Sequence, residues 1–330
     1  MLKIGVLGAG HLGKIHLACL ESLSDQIHLI GFHDPDPDRK AEVIARFGIA
    51  AFDTVEALID AVDVVDIVTP TVNHFSCAAA ALSAGKHVFI EKPITHTVQE
   101  GEALQKLAAD TGLCVQVGHV ERFNPALQAV AHRIQDPKFI EAHRLSPFQP
   151  RGTDVPVVLD LMIHDLDVVL SLVNAEVAEV RATGAAVLSA TPDIANARIA
   201  FDNGCVANLT ASRISLQKLR KMRIFQPETY ITMDFLDKKA SVMRVGDGHA
   251  ADSFNLDLGD GAQKHVQLEP IVVTPTNAIR EELAAFVQAI ERGIDPPVRL
   301  ADGVRALGLA YQIMDQIERT PHPSRLPHHP

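Results

Sequence analysis

The sequence predicts an α/β fold. A doubly wound parallel sheet forms the N-terminal part, and an α+β part with a large, mostly antiparallel open sheet follows. Three observations carry this. Strand-like apolar runs alternate with helical patterns over about the first 120 residues, the mark of a parallel sheet covered by helices. A glycine-rich turn, Gly8-Ala9-Gly10-His11-Leu12-Gly13, joins the first run to the first helix. Beyond residue 173, long strand-like runs succeed one another before two helices close the sequence.

Residues 1–7 are an apolar run of strand length ending in the glycine turn. Between a strand and a helix, each glycine has a mechanical task. Gly8 makes the tight turn, Gly10 lets backbone amides approach a pyrophosphate, and Gly13 lets helix and strand pack closely. The helix, apolar-periodic to residue 23 and with His11 and Leu12 in its first turn, offers unpaired N–H groups to phosphates. Residues 27–33 read as the second strand, and Asp34 ends it about 20 residues after Gly13. A carboxylate there accepts both hydroxyls of an adenosine ribose and repels a 2′-phosphate. The expectation is therefore a Rossmann domain that takes NAD in preference to NADP. Alternatively, Asp34 is only part of the acidic turn Asp34-Pro35-Asp36-Pro37-Asp38, in which Asp36 or Asp38 caps the next helix. Arg39 leaves NADP open.

Helices over 37–47 and 54–59 follow, then a strand over 61–68, a helix over 74–84 and a strand over 86–90. Thr97 opens a helix with Glu100 three residues on, a capping-box spacing, and 113–117 is the last strand of this part. The pattern then changes. An apolar helix spans 157–173, and strand runs cover 176–188, 194–201, 205–215, 219–226 and 229–235. Asp202-Asn203-Gly204 between two of them is a hairpin turn. Helices over 276–291 and 301–317 end the pattern. The expected domains are 1–122 for cofactor and 123–330 for substrate and assembly, with a frayed proline- and histidine-rich tail over 320–330. An open sheet must be covered by helices or by another subunit, so a homodimer or homotetramer through it is expected.

Composition narrows the class. With 47% hydrophobic and 22% charged residues, the chain reads as a soluble globular enzyme. A net charge of −11 argues against nucleic acid or an anionic membrane as partner. Cys19, Cys77, Cys114 and Cys205 are widely spaced in apolar contexts, which suits a reducing cytoplasm better than a disulfide frame or a metal site. No signal segment is read before the first strand, and no uncharged apolar run is long enough to span a bilayer.

Two constellations can carry chemistry. Lys92, in Glu91-Lys92-Pro93, stands at the carboxyl end of a central strand and can donate to a substrate oxygen; otherwise it is a solvated lysine at a strand end. Pro93 restricts it to extended geometry and leaves the isomer of the peptide bond open. Asp160 and His164 are four apart on one helix face, with Asp167 and Ser171 extending the polar stripe. That stripe either faces water or faces the cofactor cleft. In the second case Asp160 orients His164, which takes a hydroxyl proton near neutrality.

Taken together, the glycine turn, Thr69-Pro70 with His74, Ala84-Gly85-Lys86-His87-Val88 leading into Glu91-Lys92-Pro93, and Asp160-x-x-x-His164 resemble the Gfo/Idh/MocA oxidoreductase family over nearly the whole chain. The resemblance implies Lys92, Asp160 and His164 as the catalytic group, with Thr69, Pro70, His74, Glu91 and Lys92 lining the nicotinamide half of the site. Two features depart from it. Thr71 stands where many relatives have asparagine, and Arg151-Gly152-Thr153-Asp154-Val155-Pro156 replaces a glycine-rich segment.

Gly118-His119-Val120-Glu121-Arg122-Phe123-Asn124-Pro125 resembles the segment of members that act on nucleotide-activated amino sugars. Arg122 and Asn124 then bind a sugar hydroxyl or phosphate. Alternatively, Asn124-Pro125 starts a helix and Arg122 pairs with an acid. The basic cluster of Arg213, Lys218, Arg220, Lys221 and Arg223 reads mainly as a solvated sheet face. The implied activity is NAD-dependent oxidation of a secondary sugar hydroxyl, C3 of UDP-N-acetylglucosamine being the first substrate to test. An inositol or free-hexose dehydrogenase and a non-catalytic NAD-binding regulator are the alternatives.

Overall fold

The computed structural model describes residues 1–149, 155–246, 253–259 and 262–319. Most of the departing segment before the Asp160–His164 helix (151–154) and the tail at 320–330 lie outside them. The chain forms two compact units. Met1–Ala131 joins with Val272–Gly308, and His132–Ile271 joins with the chain from Leu309 onward.

The first unit is built on six parallel strands: β1 (Leu2–Leu7), β2 (Ile27–His33), β3 (Ala50–Ala51), β4 (Val64–Ile67), β5 (His87–Glu91) and β6 (Val115–Gly118). Their order, β3-β2-β1-β4-β5-β6, reverses between β1 and β4. Ligands of such sheets lie beyond the carboxyl ends of the strands at that reversal. Gly8, Thr69 and Lys92 follow β1, β4 and β5, so the turns that carry them share one edge of the sheet. Between the strands run α1 (His11–Glu21), α2 (Pro37–Phe47), α3 (Val55–Ala61), α4 (His74–Ser83) and α5 (Val98–Thr111), with α6 (Pro125–Val130) after β6. The caps form as their residue types dictate. Asp36 accepts the amides of Asp38 and Arg39, and Thr97 and Glu100 complete a reciprocal capping box.

The expected boundary at 122/123 misses the return of the chain to this unit. The later helix Ala278–Arg292 inserts Leu283, Phe286 and Val287 among Val6, Leu17, Phe32 and Phe89. The ring of Phe286 meets Phe89 edge-on at 5.8 Å. Val298 accepts the amide of Val117 at 3.2 Å, and Gln116 Nε2 donates to the Glu282 carbonyl at 2.9 Å. Helix periodicity shows that such a segment is amphipathic but does not say which sheet it covers.

The second unit carries a nine-stranded sheet: β7 (Phe139–Leu145), β8 (Val177–Ala185), β9 (Ile194–Phe201), β10 (Val206–Ser212), β11 (Leu219–Gln226), β12 (Thr229–Asp234), β13 (Lys239–Gly246), β14 (Ser253–Gly259) and β15 (Ala262–Ile271). Its order is β14-β15-β13-β12-β11-β7-β10-β9-β8, antiparallel except for β7 with β10. Gly204, at φ +82°, makes the expected turn between β9 and β10. One face buries Met222, Ile224, Ile231 and Met233, while the alternate residues face outward.

The helix expected over 157–173 is two elements. A π-helical turn, Val158–Met162, precedes α7 (Ile163–Leu172). The two closing helices are α8 (Ala278–Arg292) and α9 (Leu300–Arg319). No helix among the described residues is long and apolar enough to cross a membrane.

Candidate active site

Within the glycine turn, each residue does what its type allows. Gly8 has φ +98°, and a Cβ there would lie 2.6 Å from the Val68 carbonyl oxygen. At Gly13 a Cβ would lie 2.0 Å from the Gly8 carbonyl oxygen, so only glycine permits this approach of α1 to the strand end. Gly10, by contrast, has open space where its Cβ would be. It is also the N-cap of α1, and no side chain caps the helix amides. His11 is exposed and Leu12 half-buried in the first turn. This is an open N–H cradle of the kind that a pyrophosphate fills.

Asp34 is buried at the end of β2, where Oδ2 accepts the Ala9 amide at 2.8 Å and Oδ1 accepts the Asp36 amide at 3.0 Å. A carboxylate has about four lone-pair sites, so both oxygens keep acceptor capacity for ribose hydroxyls. Arg39 Nη1 stands 3.7 Å from Oδ1 and is half exposed. The cradle and the acid together fit NAD.

Lys92 follows β5 and is half-buried, and its bond to Pro93 is cis. Its backbone N–H donates to Glu91 Oε2 at 3.0 Å. Glu91 Oε1 lies 3.1 Å from His16 Nε2, and His16 Nδ1 lies 2.9 Å from Asp66 Oδ2. This chain of side chains is buried throughout. Burial would lower the pKa of His16, but the carboxylates of Asp66 and Glu91 raise it well above the ordinary value. Burial would raise Glu91, yet His16 and the amide and charge of Lys92 hold it below its ordinary value. Burial raises Asp66, with His16 pulling against it. A buried imidazole held between two carboxyl groups therefore underlies the Lys92 turn. Sequence reasoning passed over His16 and Asp66, because His16 looked like one polar residue on an apolar helix and Asp66 lay inside an apolar run.

His74 is fully buried, with Nδ1 2.9 Å from the Pro93 carbonyl oxygen and Nε2 2.9 Å from that of Thr69. Burial lowers its pKa, although the two carbonyls favour the protonated ring. Its nitrogens face backbone, so His74 acts by tying the Thr69-Pro70 turn to the Lys92-Pro93 turn. Thr71 starts a short 3₁₀ turn ahead of α4.

In the second unit, Asp160 lies within the π-helical turn and His164 near the start of α7; both are half-buried. The α-helical stacking expected of residues four apart is thus altered at Asp160 by the wider i→i+5 geometry. Of the two residues that extend the polar stripe, Asp167 is buried and Ser171 is exposed. Asp165 is buried too, and receives Arg144 of β7 through Nε at 2.9 Å and Nη2 at 2.8 Å. This buried bidentate pair anchors α7 to the sheet.

Asn124 follows the alternative weighed for it. Its Oδ1 accepts the Ala126 amide at 3.1 Å as the N-cap of α6, and its Nδ2 donates to Glu121 Oε2 at 2.9 Å. Arg122 Nη2 lies 4.0 Å from Asp302. Of the basic cluster, Lys221 and Arg223 stand on the outward sheet face near Asp234 (3.5 Å) and Glu141 (2.7 Å), as a solvated face requires. Arg213 is buried and donates to the Val155 carbonyl.

A phosphate cradle at the reversal of a parallel sheet, with a buried acid at the end of β2 and Lys92 following β5, defines a dinucleotide-dependent oxidoreductase. Residues 2–119 match the model of an oxidoreductase family with an NAD-binding Rossmann fold, and residues 131–231 match the GFO/IDH/MocA C-terminal domain. The chain belongs to the Gfo/Idh/MocA family, and residues 2–119 of its first unit are that family's NAD-binding domain. It is 38% identical to UDP-N-acetylglucosamine 3-dehydrogenase of Acidithiobacillus ferrooxidans over 96% of this chain and 97% of the relative. A solved structure of that enzyme superposes with a TM-score of 0.88, covering 96% of this chain and 97% of the other at 37% identity. Inositol 2-dehydrogenase of Rhizobium meliloti is 28% identical, over 94% of each chain.

Proposed function

We propose that this dehydrogenase oxidises the 3-hydroxyl of UDP-N-acetylglucosamine, or of a closely related nucleotide sugar, to the 3-keto sugar. What supports the substrate most is the 38% identity, running through both units, to an enzyme named for that reaction. NAD, when bound, supplies the hydride acceptor. In this reading His164 takes the hydroxyl proton, imidazole being the side chain that titrates near neutrality. Asp160 orients that ring, and the Lys92 ammonium holds the substrate oxygen. The C–H electron pair leaves as hydride while the carbon–oxygen double bond forms. Arg122 is the proposed contact for the diphosphate or sugar, and Asn124 shapes the segment that carries it. The proposed setting is the cytoplasm, consistent with four free thiols. Burial pushes Cys114 and Cys205 up to about 11, so both stay protonated.

The likeness to inositol 2-dehydrogenase favours a second reading, a polyol dehydrogenase on the same machinery. One assay separates them. NAD is offered with UDP-N-acetylglucosamine, UDP-glucose, free N-acetylglucosamine or myo-inositol, and cofactor reduction is followed by absorbance. The expected response is to the UDP-amino sugar, with NAD preferred over NADP. A response confined to unactivated polyols would overturn the substrate and leave the second reading in its place.

A further inference from the structure

We propose that His16 is a positioning residue for Lys92, acting through the Glu91 carboxylate. The inference rests on the reading of Lys92 as the group that holds the substrate oxygen. Its basis is a continuous buried path. Asp66 at the end of β4 fixes one ring nitrogen of His16, and the other ring nitrogen fixes one oxygen of Glu91. The second oxygen of Glu91 accepts the backbone amide of Lys92 itself. Pro93 has no N–H, so this is the last main-chain donor before the turn leaves the strand.

The protein makes room for this path. Gly118 of β6 stands opposite Glu91 in the sheet register, and a Cβ at Gly118 would lie 2.8 Å from the Glu91 carboxyl carbon and from Oε1. A glycine here leaves the carboxylate the space in which it meets both the imidazole and the Lys92 amide. His16 also packs edge-on against Phe89 of β5 at 5.7 Å, which limits the ring's rotation. Because His16 belongs to α1, the helix behind the phosphate cradle, the path links the seat of the pyrophosphate to the lysine. A buried polar side chain whose every polar atom is engaged gives one orientation rather than several.

The chemistry of amide side chains separates this role from simple core filling. An asparagine at position 16 reaches about as far as Nδ1 and can serve Asp66; a glutamine reaches about as far as Nε2 and can serve Glu91. Both remove the ring and both leave a similar polar group in the core, so the informative comparison is between the two variants. In His16→Asn, hydrogen exchange of the Lys92 amide should quicken about tenfold relative to His16→Gln, the loss of one hydrogen bond of ordinary strength. With UDP-N-acetylglucosamine as substrate, kcat of His16→Asn should fall by about 10- to 100-fold, because small misplacement of a catalytic group is costly. The Kd for NAD and the melting temperature should match between the two variants, and His16→Gln should keep kcat close to wild type.

Gly118→Ala is the second variant, pressing on Glu91 without touching His16. It should also speed exchange at Lys92, which keeps the proposal testable if His16→Asn does not fold. Equal exchange at Lys92 in wild type, His16→Asn and Gly118→Ala overturns the proposal whatever the substrate. Lys92→Met tests the underlying reading separately. If Lys92→Met is inactive while His16→Asn turns over normally, the positioning role fails alone. If Lys92→Met retains full turnover, the reading of Lys92 fails and the proposal with it.

Discussion

Asp193 shows how much one carboxylate can organise. Its Oδ2 accepts the backbone amides of Val187 (2.8 Å), Leu188 (2.6 Å) and Ser189 (2.9 Å), closing the loop between β8 and β9. Burial alone would raise its pKa, but those donors hold it far below the ordinary carboxylate value. A folded pKa below the unfolded one gives stability that is present above about pH 4 and is lost as the pH falls toward the folded value. Asp193→Asn should therefore lower stability near neutrality by about 1.5 kcal/mol, the low end for bonds to a charged group because the loop stands in solvent. Urea denaturation at stepped pH values checks this: the gap from wild type should narrow only below about pH 4. The same scale explains what the sequence hid. β7 was not expected, because its inward positions read Ile140, Ala142 and then Arg144. The buried guanidinium is satisfied by Asp165, a partner 21 residues away that no local pattern announces. His16 was hidden likewise, by partners on two distant strand ends.

Elements with strong local rules were legible. The glycine turn, the capping box at Thr97 and the turn at Gly204 all lie in the places their residue types specify. Elements defined by what they pack against were not. β3 is two residues long, too short to show alternation. The helix carrying Asp160 and His164 reads as one apolar run, and its opening π-helical turn depends on how the chain enters from Pro156, whose carbonyl accepts the amides of both Leu159 and Asp160 at 3.0 Å. For α8 the amphipathic pattern is clear, but its destination is not. Its docking is testable. Phe286 is buried against Phe89 and is flanked by the wholly buried core of β1 and α1. Phe286→Ala should cost about 3–5 kcal/mol, the range for emptying a large aromatic site. The check is a lowered denaturation midpoint with an unchanged slope. A loss below 1 kcal/mol would mean that the helix contributes little to that core.

For the whole molecule, the two-part plan of parallel then antiparallel sheet was readable from the change in periodicity, whereas the path of the chain between the parts was not. The nine-stranded sheet presents an outward face with Phe139, Phe225 and Tyr230 in a row, their ring centroids 5.8 and 4.6 Å apart. Phe225 remains 38% exposed there, among the paired charges of Lys221 and Arg223. Aromatic groups rimmed by polar ones suit a subunit contact, and assembly into a homodimer or homotetramer through this face is our proposal. Light scattering on the purified protein should give a mass of two or four chains, and Phe225→Glu should reduce it toward one. A monomeric wild-type mass at working concentration would remove the proposal.

The return of Val272–Gly308 to the NAD-binding unit has a consequence for biosynthesis. A ribosome releases the six strands of that unit long before it has made the helix that completes their core. Until then Phe89 and its neighbours have no Phe286 to meet, and the whole antiparallel sheet must be threaded out first. The earliest-made half of this enzyme is therefore among the last to finish, and its nascent form is the stage at which a chaperone would have most to cover.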